Sequence, residues 1–246
     1  MARVVKEQER AVKRNEILDV AQRLVYTKGY EQMSIQDILN ELHISKGAFY
    51  HYFDSKQALL EALIERRQEE AAQLLFPILQ DPQLTALEKI QRYFDAAAHW
   101  KTAQKDFFLG LLRGWYADDN AIVRHKVFTS GVKQIAPLLT VVVHQGIQEG
   151  ALTTSHPDQV SEVILSLFQG LGDSLSDAIL SYEPSHDSLQ RVEKTVAAYT
   201  DALERVLGAP AGSLHLLDVE TLKEWFVSSN DNTVAEVNAT LHMMPA

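Results

Sequence analysis

Residues 34–53 hold the side chains best suited to act on another molecule. Two short amphipathic segments lie there, separated by Leu42-His43-Ile44. A connection that tight cannot lay two helices antiparallel; it sets them steeply across one another. The first must then pack on the second through Ile38, Leu39, Phe49 and Phe53, which leaves the polar face of the second protruding. That face carries Ser45, Lys46, Gly47, Tyr50, His51 and Tyr52, all small, basic or hydrogen-bonding. Glycine in a first helical turn is unfavourable on propensity, but it permits close approach to another surface. Lys46 and Lys56 supply cations, the tyrosines supply phenol donors, and the helix start has backbone N–H groups suited to a phosphate. Reading a DNA major groove requires this combination: a protruding helix, donors to base edges and flanking phosphate clamps. The other reading of Phe49-Tyr50-His51-Tyr52-Phe53 is a core aromatic run. At helical spacing only Phe49 and Phe53 share a face, with Tyr50 and His51 roughly 100–200° around from Phe49.

The elements that must position this face read as helices. Ile17, Ala21 and Leu24 give 14–28 an apolar stripe, and Lys28-Gly29 is a helix stop. Ser34-Ile35-Gln36-Asp37 has the capping-box pattern. Ser45 caps the next helix, and a fourth runs from about residue 54 to before Pro77. Further helical periodicity covers about 84–101, 105–117, 120–148, 157–181, 187–207 and 218–227, with a kink expected at Pro137 and a linker at 208–217. No repeat and no useful β-alternation is present, so the expected fold class is all-α.

The segment Ile17–Leu60 resembles the DNA-binding domain of the TetR/AcrR family of bacterial regulators. The matching run is Lys28-Gly29-Tyr30, then Ser34 and Ile38, then Ile44-Ser45-Lys46-Gly47-Ala48-Phe49-Tyr50-His51-Tyr52-Phe53, then Ser55-Lys56 and Leu59-Leu60. The resemblance implies a three-helix helix-turn-helix domain, residues 1–55. A helical effector-binding and dimerisation domain would follow at 56–208, with a C-terminal extension at 209–246. It implies a phosphate contact at Ser34 and a base contact at Gln36, with Lys46, Gly47 and Ala48 opening the recognition helix. Tyr50 and Tyr52 would meet the DNA backbone, His51 would face the groove, and Lys56 would bind phosphate. Leu39, Leu42 and His43 stand where the family often has Ala, Ala and Gly. Larger residues at 39 and 42 imply a slightly different helix packing, and His43 is placed to adopt a left-handed conformation.

Bulk composition limits the alternatives. The 246 residues are 46% hydrophobic and 23% charged, as in ordinary globular proteins. The net charge of −10 is unevenly distributed: residues 1–28 hold seven Lys/Arg against four Asp/Glu, and residues 57–246 hold 14 against 25. Such asymmetry suits a front end that meets phosphate. No cysteine is present, so thiol chemistry is excluded and a reducing cytoplasm fits. MARVVKEQER lacks a following apolar core for a signal peptide. Apolar runs such as Leu138–Val143 are short for a bilayer, so no membrane partner is expected. The single Glu-x-x-His, Glu183–His186, contains a proline; no His-Glu-x-x-His run or phosphate-binding glycine loop occurs, and no enzyme, metal or cofactor is expected.

Two further patterns bear on assembly and control. Leu189, Val192, Val196, Tyr199, Leu203 and Val206 repeat at heptad spacing, and Phe168, Leu171 and Leu175 belong to a wide apolar arc one helix earlier. These residues fit either a buried helix pair or a four-helix homodimer interface; the resemblance favours the dimer, which would place two recognition helices about 34–36 Å apart on a pseudo-palindrome. Eight of the aromatics fall within 93–128. They are either core or the lining of a partly apolar effector pocket built from Phe94, Trp100, Phe107, Phe108, Leu111, Trp115, Phe128, His144 and Phe168. The expectation is a repressor released from palindromic double-stranded operator DNA by a small molecule. The alternative is control by a protein partner, docked through 209–246 with Trp225 and Phe226, or no control at all.

Overall fold

The capping signals and apolar periodicities produce helices throughout. The computed structural model describes residues 2–181 and 186–226, and among these it has ten α-helices and no strand. They are α1 (Ala2–Gln32), α2 (Ile35–Leu42), α3 (Lys46–Tyr50), α4 (Lys56–Gln80), α5 (Ala86–Thr102), α6 (Lys105–Tyr116), α7 (Ala121–Gln148), α8 (Val160–Leu180), α9 (His186–Leu207) and α10 (Val219–Phe226). Most lie within a few residues of the periodic segments. Two do not. α1 begins about a dozen residues earlier than its apolar stripe, and α4 continues through Pro77 to Gln80. At Gly29 the backbone leaves the helix (φ 78°, ψ 159°), the conformation the Lys28-Gly29 stop requires. Residues 182–185 and the tail from 227, including Asn238-Ala239-Thr240, lie outside the described residues.

The chain forms two compact units, 1–76 with 104–135 and 77–103 with 136–246. This grouping differs from a linear division at 55 and 208, and the cores explain why. In the first unit, Leu59, Leu60 and Leu63 of α4 and Phe107 and Leu111 of α6 fill the same core as Ile17, Val25, Ile38 and Phe49. Two glycines let α6 lie directly on α1. A Cβ on Gly110 would stand 2.5 Å from the Val25 carbonyl oxygen, and one on Gly114 would coincide with the Tyr30 ring. Polar contacts reinforce the packing of α4 on α1: Gln22 Oε1 accepts from both Arg66 and Arg67, and Arg67 also reaches Gln104 at the start of α6.

In the second unit, α9 packs on α8, and α10 packs on α5 and α9. The heptad seam of α9 is therefore already covered inside one chain: Val192, Val196 and Leu203 are buried, as is Leu171 of α8, while Leu189, Tyr199, Phe168 and Leu175 are half-buried. The seam's spacing reports a buried face, and here the partner is the chain's own α8 and α10. The segment 209–226 also belongs to this core. Leu214, Leu216, Leu222 and Phe226 are buried, Trp225 Nε1 donates to Thr102 Oγ1 at 2.9 Å, and the Gln91 amide brackets His215, accepting from its N–H and donating to its C=O. Trp225 and Phe226 are thus occupied within the chain.

Two helical stretches, Asp118–Gln148 and Val160–Leu180, are long and apolar enough to cross a membrane by length and composition, which the short run at Leu138–Val143 did not suggest. Core helices pass the same test, and these two do not indicate a membrane protein.

Candidate DNA-binding surface

The helix-turn-helix is assembled from local capping chemistry upward. Ser34 caps α2: its Oγ accepts the Asp37 N–H at 3.2 Å, and the Asp37 carboxylate accepts the Ser34 N–H at 2.7 Å. Asp37 also pairs with Lys28 at 2.6 Å. The Lys28 ammonium, followed by the Ser34 hydroxyl and N–H, holds the Asp37 carboxyl far below the usual carboxylate range. A depressed folded-state pKa stabilises above the unfolded value, so this anchor of α2 is complete at neutral pH and fades as the medium becomes strongly acidic.

Between the helices His43 adopts φ 51°, ψ 40°, the left-handed conformation expected of it, and its N–H donates to the Leu39 carbonyl. Ser45 then caps α3 by accepting the Ala48 N–H at 3.1 Å. α3 is one turn and a half long and ends at Tyr50; the chain continues through a turn, which still delivers Phe53 to the core beside Phe49 with ring centroids 5.9 Å apart. Both phenylalanines are buried. The aromatic run is thereby divided between core and surface by the helical register, as its spacing implied.

Of the ten residues assigned to DNA, Ser34, Gln36, Ser45, Lys46, Gly47, Tyr50 and His51 are exposed. Tyr50 stands edge-on to Phe49, and the Lys46 ammonium lies 5.9 Å above the Tyr50 ring. His51 and Tyr52 meet edge to face at 5.2 Å, with Tyr52 half-buried. Gln36 Nε2 donates to Asn40 Oδ1 at 2.7 Å, within reach of solvent. An added Cβ at Gly47 would meet nothing closer than Ser45 Oγ at 3.9 Å. Among the described residues no contact requires glycine there. Ala48 is half-buried beneath this face.

Lys56 is placed differently. It is half-buried, donates to the Glu31 carbonyl at 3.1 Å and sits 4.4 Å above the Tyr30 ring. Burial lowers its pKa, opposed by Glu31 and Asp37. Tyr30 donates its hydroxyl to the Lys56 carbonyl at 3.2 Å, and burial pushes the Tyr30 phenol up to about 12. Lys56 therefore holds the start of α4 against the end of α1, and the phosphate role inferred for it competes with a structural one. No local pattern signals this role, because Tyr30 and Lys56 meet only after α1 and α4 fold together.

The residues assigned to an effector pocket are divided between the units. Phe107, Phe108, Leu111, Trp115 and Phe128 belong to the first, and Phe94, Trp100, His144 and Phe168 to the second. Phe107 and Leu111 are buried in the core that α1 shares, with Tyr26 5.3 Å and the Arg67 guanidinium 5.2 Å from the Phe107 ring. Phe94 and Phe168 form an edge-to-face pair at 4.8 Å. His144 is exposed and pairs with Asp158 at 2.8 Å.

An exposed, donor-bearing short helix set across a capped partner defines an all-α helix-turn-helix DNA-binding protein. Residues 17–63 match the model of the bacterial regulatory proteins of the tetR family. Residues 17–63 thus carry the helix-turn-helix of that family, and the relatives that the chain matches are transcriptional regulators rather than enzymes. It is 26% identical over 189 residues to the HTH-type transcriptional repressor NemR of Escherichia coli, covering 75% of this chain and 94% of that protein. It is 31% identical over 124 residues to the HTH-type transcriptional regulator EthR of Mycolicibacterium smegmatis, covering 44% and 57% of the two chains. The fold is shared with a TetR-family regulator from Pectobacterium atrosepticum, with a TM-score of 0.57 and 18% identity over 82% of this chain and 98% of that one.

Proposed function

We propose that the protein is a homodimeric, cytoplasmic repressor that binds a pseudo-palindromic operator and is released from it by a partly apolar small molecule. The observation that carries the DNA part is the exposed Lys46–His51 face on a helix whose other side is locked into the core by Phe49. Relatives named as repressors support the sign of the regulation. The chain has no cysteine, so a thiol-based signal is excluded. Release follows if the effector binds a form with differently placed recognition helices, lowering operator affinity by its differential binding energy.

Operator sequences selected in vitro from random duplexes provide the probe. Substituting His51 by alanine is expected to change base preference at one position of each half-site, by about 1–3 kcal/mol if it makes a direct base contact. Lys46→Ala together with Tyr50→Ala is expected to weaken binding to all duplexes and to flatten its salt dependence. Unchanged binding by a folded Lys46→Ala, Tyr50→Ala variant would remove this surface from consideration. Operator release by a protein partner, with none by any metabolite or drug, would favour the partner-controlled alternative.

Since the α9 seam faces inward, the dimer contact is assigned to the outward side of the α8–α9 pair. The apolar window of α8 is only 17% buried within the chain, and Phe168, Gly172 and Leu175 share one face of it at helical spacing. Half-buried Leu175 and Phe168 add to the same helix. Exposed Gly172 has open space where a Cβ would stand. Gly172→Arg meets no clash inside the chain, so the variant is expected to fold, with a thermal midpoint lowered only by the lost subunit contact. It should nevertheless convert the dimer to monomer in light-scattering measurements. A dimer that survives this substitution would place the interface elsewhere.

A further inference from the structure

We propose that Asn40 is a positioning residue for DNA reading: it fixes the Gln36 amide in the orientation that matches an adenine. α2 then selects one base in each half-site; this rests on the DNA-binding reading above. Gln36 and Asn40 are both exposed and stand one turn apart on α2. Gln36 Nε2 donates to Asn40 Oδ1 at 2.7 Å, and among the described residues neither amide has a second partner. Such a pair on a helix surface adds little stability, and it restricts two side chains that would otherwise rotate freely. What it does achieve is a defined direction for an outward-facing amide. The platform beneath it is rigid. Ile38 and Leu39 are buried, Ser34 and Asp37 close the capping box, and two ion pairs tie α2 to α1, Lys28 with Asp37 and Arg23 with Glu41.

Those ion pairs also decide what α2 offers outward. Asp37 and Glu41 each follow an amide by one residue, roughly 100° around the helix, and each is paired with a cation of α1. The line from Gln36 to Asn40 is left uncharged, so an amide there approaches a base edge without a carboxylate of its own turn opposing it. The chemistry of the amide then selects the base. Glutamine has two N–H donors and one carbonyl acceptor. Asn40 takes one N–H, which leaves one donor and one acceptor on a single planar group. Adenine presents the complementary pair in the major groove, the N6 amino donor and the N7 acceptor, whereas guanine presents two acceptors. An unsupported glutamine turns its terminal amide between two nearly equivalent wells and offers either end. With Asn40 in place, turning the amide over sets Gln36 Oε1 against Asn40 Oδ1, two acceptors facing one another. Aspartate at position 40, which accepts only, would enforce the same orientation.

The test selects half-site sequences from random duplexes with the full chain and with Gln36→Ala, Asn40→Ala and Asn40→Asp. Each preference is then measured by fluorescence anisotropy on duplexes that differ at one base pair. Gln36→Ala is expected to abolish an adenine preference of about tenfold or more. Asn40→Ala is expected to lower the preference at that same position by about three- to tenfold, the worth of the glutamine rotamer freedom it restores. The other positions and the salt dependence should not move, since no phosphate contact is lost. Asn40→Asp should keep the adenine preference, although its charge weakens binding to every duplex. A purely structural role for Asn40 would lower all affinities together and leave the ratios alone. An unchanged adenine ratio in folded Asn40→Ala would overturn the proposal, as would loss of that ratio in Asn40→Asp. A change confined to a position that Gln36→Ala leaves alone would overturn it too, because Asn40 would then read a base itself. If Gln36→Ala alters no position, this inference fails while the Lys46, Tyr50 and His51 surface stands on its own variants. If the Lys46→Ala, Tyr50→Ala variant also binds normally, the recognition surface itself is in error.

Discussion

Gly110→Ala is expected to destabilise the protein, although alanine is the better helix former. Glycine in a helix interior costs about 1 kcal/mol relative to alanine, so propensity alone predicts a gain. The methyl group would stand 2.5 Å from the Val25 carbonyl oxygen and 3.3 Å from the Val25 carbonyl carbon and Cγ1. A backbone oxygen inside a long helix cannot step aside, so α6 must move away from α1. Overpacking of this kind costs about 1–3 kcal/mol, and loosening the shared core around Phe107 and Leu111 adds to it. Gly114→Ala meets a comparable obstacle. The methyl would fall on the Tyr30 ring, which is 4% exposed and is held by its hydroxyl bond to Lys56. With both substitutions the thermal midpoint should fall by roughly 2–4 °C per kcal/mol lost. DNA affinity should fall as well, since α1 and Tyr30 support the start of α4 and, through the common core, α2 and α3. Gly47→Ala is the control for stability, since its Cβ would meet nothing closer than Ser45 Oγ at 3.9 Å, and it should hold or raise the midpoint. A midpoint for Gly110→Ala that rises like the control's would show that α1 and α6 are not in such close approach.

The second large effect is expected from Glu204→Ala. Glu204 is only 6% exposed, and its two oxygens accept the Gly212 N–H at 3.0 Å and the Leu214 N–H at 2.9 Å. These bonds turn the chain back after α9 and deliver Leu214, Leu216, Leu222 and Phe226 to the core of the second unit. Alanine would leave two poorly solvated backbone donors, each at a cost of about 1–3 kcal/mol. Glu204→Gln keeps one acceptor and should lose less. Urea unfolding would measure the difference, and limited proteolysis after residue 208 would show whether the strap has been released. Deletion of 209–246 should go further and lower solubility, because the apolar surfaces of α5 and α9 that it covers would face water. Wild-type stability in Glu204→Ala would mean that the segment is held by its apolar contacts alone.

What was legible in the sequence was whatever local chemistry specifies. The capping box at Ser34 and Asp37, the Ser45 cap, the left-handed position at His43 and the separation of Phe49 and Phe53 from Tyr50 and His51 all depend on residues within a few positions of each other. They could be read without knowing the rest of the chain, and with them came the all-α fold and the DNA-reading face. Helix ends set by missing signals were harder. α1 reaches back to Ala2 although Val4, Val5 and Val12 form no stripe that would announce a buried face, and α4 passes Pro77 although proline usually ends a helix.

The tertiary structure decided what each apolar face packs against. A heptad seam states that Val192, Val196 and Leu203 will be covered, and the same spacing would serve a second copy or the chain's own α8 and α10. A cluster of aromatics states that a core exists, and folding shared its members between two units. Gly110 and Gly114 read as weak points of a helix until α1 lies across them. The recognition surface is sharper for this: Lys46, Tyr50 and His51 remain its outward groups, while Lys56, read as a phosphate ligand, turns inward onto Tyr30 and Glu31. Spacing along a chain fixes which side chains share a face, because helical geometry is local. The partner of that face is fixed by long-range packing, which no local pattern encodes.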